Sequence, residues 1–382
     1  MLTLSDPMLN VPLLKTTMAA QGLSQTALAE NCGVSKEAVS NWLAEESMPR
    51  PGKLALLAEK LGLHVEDLVL SEEAEPVVAF RMRNNRAVTG SAKDAGDEVG
   101  RHLRQLLPLT ESKTLFEPPH LRAPSLDEAV IRATATAVRA SLKLSPTDVV
   151  SKEQLFELFH DFGAFLVPVF WGGHKDGHEN AMSVYLPDSK SSWVVFNLGC
   201  RQDDFKYWLA HEYGHCLTLH KLQGDEGELF AEKFAQHFLF PDELAEQALT
   251  AIHASSEPLA VANWFAGKYD LSVVTVVKAA DRVAQLRGEK VTGLATARFY
   301  GEWKKSRKSA PTVANLLFGA EAPAAAEYVV RSEEVFRTPI FRAMGKWQRE
   351  SGGRSPSFIA STLNIGINDA TELSHALWSM SA

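Results

Sequence analysis

The stretch YWLAHEYGHCLTLH, residues 207–220, decides how this chain is read. Two histidines stand four apart inside an otherwise apolar run, with a glutamate directly after the first. On a helix, residues four apart share a face, so His211 and His215 can present imidazole nitrogens to one point. Glu212 lies one position round, beside a bound ion rather than on it, where it can take a proton from a water molecule. Zn2+ held by two histidines and one acid keeps a fourth position open for that water and lowers its pKa towards neutrality. The preceding DDFKYWLA places Phe205, Trp208 and Leu209 on the same helix, and Gly214 and Cys216 are small enough for close helix packing. A histidine pair in so apolar a setting predicts metal binding.

A third ligand has to come from elsewhere, and GDEGELFAEKFAQHFLFP, residues 224–241, supplies candidates. Gly224 and Gly227 break the chain, and a helix is expected from Glu228 to the residue before Pro241. Ala231, Ala235 and Phe238 lie on one face of it and would let that face approach the histidine helix. Glu228 then points where an acid ligand is needed. Glu232, one turn on, can receive the other N–H of a ligating imidazole. Asp225, Glu226 and His220 are rival ligands at this stage.

Together, YWLAHEYGHCL and ELFAEKFAQHFLFP, with the strand pair before them, resemble the ImmA/IrrE family of gluzincin-type metallopeptidases over roughly residues 125–285. The resemblance implies zinc at His211, His215 and Glu228, with Glu212 as general base. Three departures stand out: the short interval between His215 and Glu228, Glu232 where Asn or Asp is usual, and Phe240 where a methionine is usual.

The N-terminal segment carries a different signature, LSQTALAENCGVSKEAVSNWL, residues 23–43. Ser24 can cap one helix, with Leu28 and Ala29 on its buried face. Gly33 is free to take the left-handed geometry that a helix end requires. Ser35 caps the next helix, on which Ala38, Val39 and Trp42 face inward while Lys36, Glu37, Ser40 and Asn41 face out. Two helices joined by so short a turn cross steeply, leaving the second free to enter a major groove. Through Gln25, Leu28, Ala29, Gly33, Val34, Ser35, Val39 and Trp42 the segment resembles the XRE family of Cro- and lambda-repressor-like helix-turn-helix regulators, over roughly residues 11–70. That resemblance implies that Gln25 fixes the backbone and that Ser35, Lys36, Ser40 and Asn41 meet bases or phosphates of a double-stranded operator. The positive footprint of the segment is weak, which two half-sites on a homodimer would offset. The basic runs FRMRNNR (80–86) and EWKKSRK (302–308) could add phosphate contacts.

The rest of the composition bounds the class. A chain of 382 residues is too long for one ordinary domain. An apolar fraction of 45% and a charged fraction of 23% are those of a globular protein. The net charge of −8 argues against a protein that coats nucleic acid nonspecifically. The opening MLTLSDPMLNVPLL lacks a basic region and is not expected to be a secretory signal. FGAFLVPVFW (162–171) is too short to span a bilayer. Three scattered cysteines, Cys32, Cys200 and Cys216, suit a reducing cytoplasm.

The expected fold is multidomain. It has an all-α helix-turn-helix domain (1–72), a linker with a helix near 95–107 (73–122), an α+β metallopeptidase-like domain (123–290) and a helical C-terminal region (291–382) of unknown role. Ser125 is the expected cap of a helix through about residue 142. AFLVPVFW, AMSVYLP and WVVFNLG read as strands, the last two joined by DSKSS as a hairpin. A substrate strand could add along the edge of that hairpin. The expected function is a transcription regulator whose endopeptidase domain cuts a repressor or the chain itself, in stress or mobile-element response. The alternative is a repressor or antitoxin whose zinc domain senses a ligand without hydrolysis. His174 and His178 in WGGHKDGHEN carry little weight.

Overall fold

The computed structural model describes residues 8–44, 47–70, 75–80, 90–110, 118–170, 181–319, 322–350 and 356–380. His174, His178 and most of FRMRNNR lie outside them. Two compact units result, Met1–Glu75 and Pro76–Ala382.

In the first unit, strands β1 (Met8–Leu9) and β2 (Val69–Leu70) pair antiparallel and tie the two ends together. Between them run α1 (Val11–Ala20), α2 (Gln25–Cys32), α3 (Lys36–Leu43), α4 (Pro51–Leu61) and α5 (Val65–Leu68). The local signals act as expected. Ser24 Oγ accepts from the Ala27 amide at 3.1 Å, and Ser35 Oγ accepts from the Ala38 amide at 3.1 Å. Gly33 sits at φ 59°, ψ 48° and ends α2. Leu14, Leu28, Val39, Leu57 and Leu68 are fully enclosed and form the core, with Trp42 beside them.

The second unit begins with β3 (Val77–Phe80), followed by α6 (Gly90–Leu106), α7 (Glu128–Ser141), α8 (Lys152–Phe162), β4 (Phe165–Val169), β5 (Ala181–Leu186) and β6 (Ser191–Asn197). Next come α9 (Gln202–Thr218), α10 (Gly224–Leu239), α11 (Asp242–Ala254), α12 (Pro258–Tyr269) and α13 (Val273–Arg287). The chain continues through α14 (Ala297–Ser306), α15 (Val313–Phe318), α16 (Ala325–Phe336), α17 (Ile340–Glu350), α18 (Ser357–Leu363) and α19 (Ile367–Met380). The sheet order is β3-β5-β6-β4, with β4 parallel to β6 and the other pairs antiparallel. Every residue of β4 and β6 is buried, which is why FLVPV in the first and WVVF in the second read as unbroken apolar runs.

Four local expectations are corrected. Val77–Phe80 is a strand, not linker, because β5 offers it a partner. The hairpin therefore has no open edge along β6, which lies between β5 and β4; the edges of the sheet are β3 and β4. Helix α7 is capped by Asp127, whose Oδ1 accepts from the Ala129 and Val130 amides at 2.8 and 3.3 Å; Ser125 instead accepts from the Asp127 amide. Helix α10 starts at Gly224 rather than at Glu228, so Glu228 stands inside the helix.

The C-terminal helices share the core of this unit rather than forming a separate one. Phe299, Phe336, Phe341 and Trp347 are buried in it, while Tyr300 and Trp303 are partly exposed. Tyr328 donates to the Pro168 carbonyl of β4 at 2.5 Å, which fixes α16 to the sheet.

Candidate functional site

Helix α9 carries the histidine pair and α10 lies against it. They come close at Gly214, where a Cβ would sit 2.9 Å from the Ala231 Cα. The face of α10 behind this contact is fully enclosed: Phe230, Ala231, Phe234, Ala235 and Phe238 are all at 0% exposure. Phe230, Phe234 and Phe238 stack with ring planes within 9° of parallel. The small residues singled out in the sequence thus set the distance between the two helices. Gly214→Ala is expected to destabilise the unit by roughly 1–3 kcal/mol, since backbone is what the new methyl meets. A melting curve with a lowered midpoint and a halved or lower zinc content would show it.

That approach brings three ligand-type groups together. His211 Nε2 stands 3.2 Å from His215 Nε2. Glu228 Oε2 lies 3.3 Å from the first and Glu228 Oε1 lies 3.0 Å from the second. Among the described residues, His211, His215 and Glu228 form the group able to hold a metal ion; Asp225, Glu226 and His220 do not join it. His220 instead packs its ring on His120 and Tyr185. The separations fit a tetrahedral ion: with bonds of about 2.0–2.1 Å, ligand atoms lie about 3.3–3.4 Å apart. Burial pushes the Glu228 carboxyl up, but hydrogen bonds from His211 and His215 and their charge outweigh it and hold it well below the usual range. Two imidazoles and a carboxylate so close need a cation or a proton between them.

Glu212 is 2% exposed, and its Oε2 accepts a 2.7 Å hydrogen bond from Ser183 Oγ of β5. Its Oε1 is buried without a partner. One oxygen is therefore anchored while the other can take a proton. Sequence reasoning missed Ser183; the signal was a serine inside an apolar strand, 2% exposed, with its hydroxyl needing a partner. Glu232 Oε2 stands 3.9 Å from His211 Nδ1, beyond hydrogen-bond length, while its Oε1 accepts from Gln236 at 3.2 Å.

Two further buried polar side chains were not foreseen. His237, 2% exposed, lies 2.6 Å from Glu128 and 3.5 Å from Asp242. Arg282 reaches Asp242 at 2.8 Å, so this cluster joins α7, α10, α11 and α13. The hydrogen bond from His237 and the Arg282 charge hold the Asp242 carboxyl well below its ordinary value, against the effect of burial. On α9, Lys206 is 2% exposed and donates to the Tyr269 carbonyl. Burial pushes its pKa down to about 8.

In the first unit, Gln25, Ser35, Lys36, Ser40 and Asn41 are all exposed, as a contact surface requires. Lys53, not singled out from the sequence, donates to the Cys32 and Gly33 carbonyls at 2.9 and 3.1 Å and locks the turn between α2 and α3. Residues 14–68 match the helix-turn-helix family model. The N-terminal unit is a helix-turn-helix domain, and at that level the chain is a DNA-binding transcription regulator.

No curated protein matches the sequence. Among solved structures, the crystal structure of ComR from S. thermophilus in complex with DNA and its signalling peptide ComS is 14% identical. The match covers 96% of this chain and 97% of that one with a TM-score of 0.15, a likeness too weak to bear on fold or function here. Among the described residues no helix is long and apolar enough to cross a membrane.

Proposed function

We propose that this regulator joins a helix-turn-helix domain of XRE type to a zinc-dependent metallo-endopeptidase of ImmA/IrrE type, and that it controls transcription by cutting a partner repressor or its own chain. The observation that carries the reading is the convergence of His211, His215 and Glu228, with the half-free carboxylate of Glu212 beside them. When bound, zinc would supply Lewis acidity, polarising a scissile carbonyl and making water nucleophilic near neutral pH. His211, His215 and Glu228 would hold it. Glu212, oriented by Ser183, would take the proton from the attacking water at Oε1 and pass it to the leaving amine. A site that only sensed a ligand would have no use for such a carboxylate.

The test is zinc content of the untagged protein. About one zinc per chain, lost in both His211→Ala and Glu228→Ala, is expected; no uptake by the wild type on adding zinc would sink the proposal.

The DNA side has its own expected result. In this reading a homodimer places Lys36, Ser40 and Asn41 at each half-site of an operator. Replacing Lys36 by Ala is expected to weaken binding across sequences and to flatten its salt dependence, as loss of a phosphate contact does. Replacing Asn41 by Ala is expected to cost roughly 1–3 kcal/mol and to relax sequence preference, as loss of a base contact does. Titrations at two salt concentrations separate these; identical effects of both changes would remove the assigned roles.

A further inference from the structure

An extended peptide reaches a buried peptidase site most simply by adding a strand to a sheet edge beside it. The strand that supports this site is β5, since its Ser183 holds Glu212. One side of β5 is taken by β6 in the hairpin. The other side is taken by β3, the first strand of the second unit. Ala79 lies directly across from Ser183, and Val77 directly across from Tyr185. In an antiparallel pair such partners share a face. On that face Val77 and Ala79 pack with Tyr185 and with Leu219, the residue that follows α9. At the site beside it His211, Glu212 and His215 are only 2%, 2% and 1% exposed, and the site opens to solvent on the Glu228 side, where the side chain is 33% exposed.

We infer that β3 is an intramolecular occupant of the substrate edge, so that this chain holds its own peptidase closed until the strand is withdrawn. The inference rests on the zinc-peptidase reading. The strand has the properties of a removable plug. It is four residues long, a length at which edge pairing is marginal without other support. That support comes from Pro76, which fits against α6 at Gly100. A Cβ on Gly100 would fall 2.5 Å from the Pro76 Cβ, so only glycine leaves room for the proline. Helix α6 is in turn pinned to the hairpin turn by Arg104 and Asp188 at 2.9 Å. The plug also reports the substrate class: an uncharged extended segment with small or β-branched side chains where Val77, Val78 and Ala79 now lie.

The test uses the full chain. Val78→Pro and Ala79→Pro are made separately, because N–H groups alternate in direction along a strand and one of the two must face β5. Gly100→Val is the third variant, displacing Pro76 and also meeting Val184 of β5, without changing any residue of β3. A fluorescein-labelled peptide with the sequence of residues 75–80 is titrated against each in a Glu212→Gln background, so that nothing is cut. Cleavage of fluorescent casein is then followed in zinc-loaded chains with Glu212 intact. We expect the wild type to bind no peptide, and at least one proline variant and Gly100→Val to bind it. The same variants should cleave casein at least ten-fold faster than the wild type.

Variants that keep the wild-type melting curve and zinc content yet bind no peptide would overturn the inference, as would wild-type cleavage equal to theirs. If both proline variants unfold, Gly100→Val decides. Failure of the peptidase reading looks different: the variants would take up peptide and zinc and still cut nothing, which would also end the autoinhibitory role of β3.

Discussion

Glu212→Gln is expected to lower peptide hydrolysis by about 10²–10⁴-fold, the usual contribution of a positioned acid–base group. The reason lies in what the change leaves alone. Glutamine has nearly the shape of glutamate, and its carbonyl oxygen can still accept the hydrogen from Ser183 that Glu212 accepts at 2.7 Å. His211, His215 and Glu228 keep their places, so zinc content should stay that of the wild type. What disappears is the proton-accepting oxygen, buried and without a partner in the structure. The measurement is casein cleavage by zinc-loaded protein, in the wild type and again in whichever of the Val78→Pro and Ala79→Pro backgrounds binds the peptide. Operator affinity, measured on the same preparations, should not change. Undiminished cleavage would remove Glu212 from the reaction. Unchanged regulation in cells carrying the variant would favour a zinc domain that senses a ligand without hydrolysis.

Lys206→Met is expected to raise the stability of the second unit at pH 7 by roughly 1–3 kcal/mol. The lysine is 2% exposed and its ammonium donates to one carbonyl, that of Tyr269. Burial lowers its pKa from 10.5 to about 8, with Asp270 opposing the shift. An interval of that size corresponds to roughly 3 kcal/mol, and the hydrogen bond lost with the ammonium offsets about 1 kcal/mol of it. The sign follows from proton counting. Between pH 8 and pH 10.5 the unfolded chain holds a proton on this lysine that the folded chain does not, so stability rises with pH through that window. Below about pH 8 the penalty is present in full. Thermal melts at pH 7, 8, 9 and 10 check both parts: the methionine variant should melt higher at pH 7, and this rise with pH should vanish from it. A lower midpoint for the variant would mean that the Tyr269 contact outweighs the desolvation of the charge.

The helix-turn-helix domain was legible residue by residue because its signals are local. Ser24, Gly33 and Ser35 act within four residues of themselves, through side chain-to-amide hydrogen bonds and one left-handed backbone position. The histidine pair was legible for the same reason, since i and i+4 share a helix face whatever the rest of the chain does. Glu228 was only one candidate among several acids and a histidine. Its place depends on how closely α10 can approach α9, which the contact of Gly214 with Ala231 sets. The start of α10 was misread because Gly224 and Gly227 look like breaks, whereas Gly227 lies within the helix, where a Cβ would meet the Leu222 carbonyl oxygen at 2.8 Å.

By itself, then, the sequence determined where the helices of the helix-turn-helix begin, which residues share a helix face, and that His211, Glu212 and His215 form one constellation. Those are properties of neighbouring residues, decided over a few ångströms of backbone. The tertiary structure alone decided that Ser183 holds Glu212, that Lys206 is buried against Tyr269, and that Val77–Phe80 is a strand on the edge of β5. Each of these joins segments far apart in the chain, and the free energy that selects them comes from packing and from the need to pair buried polar groups. No window of sequence contains both partners, so no periodicity could announce them.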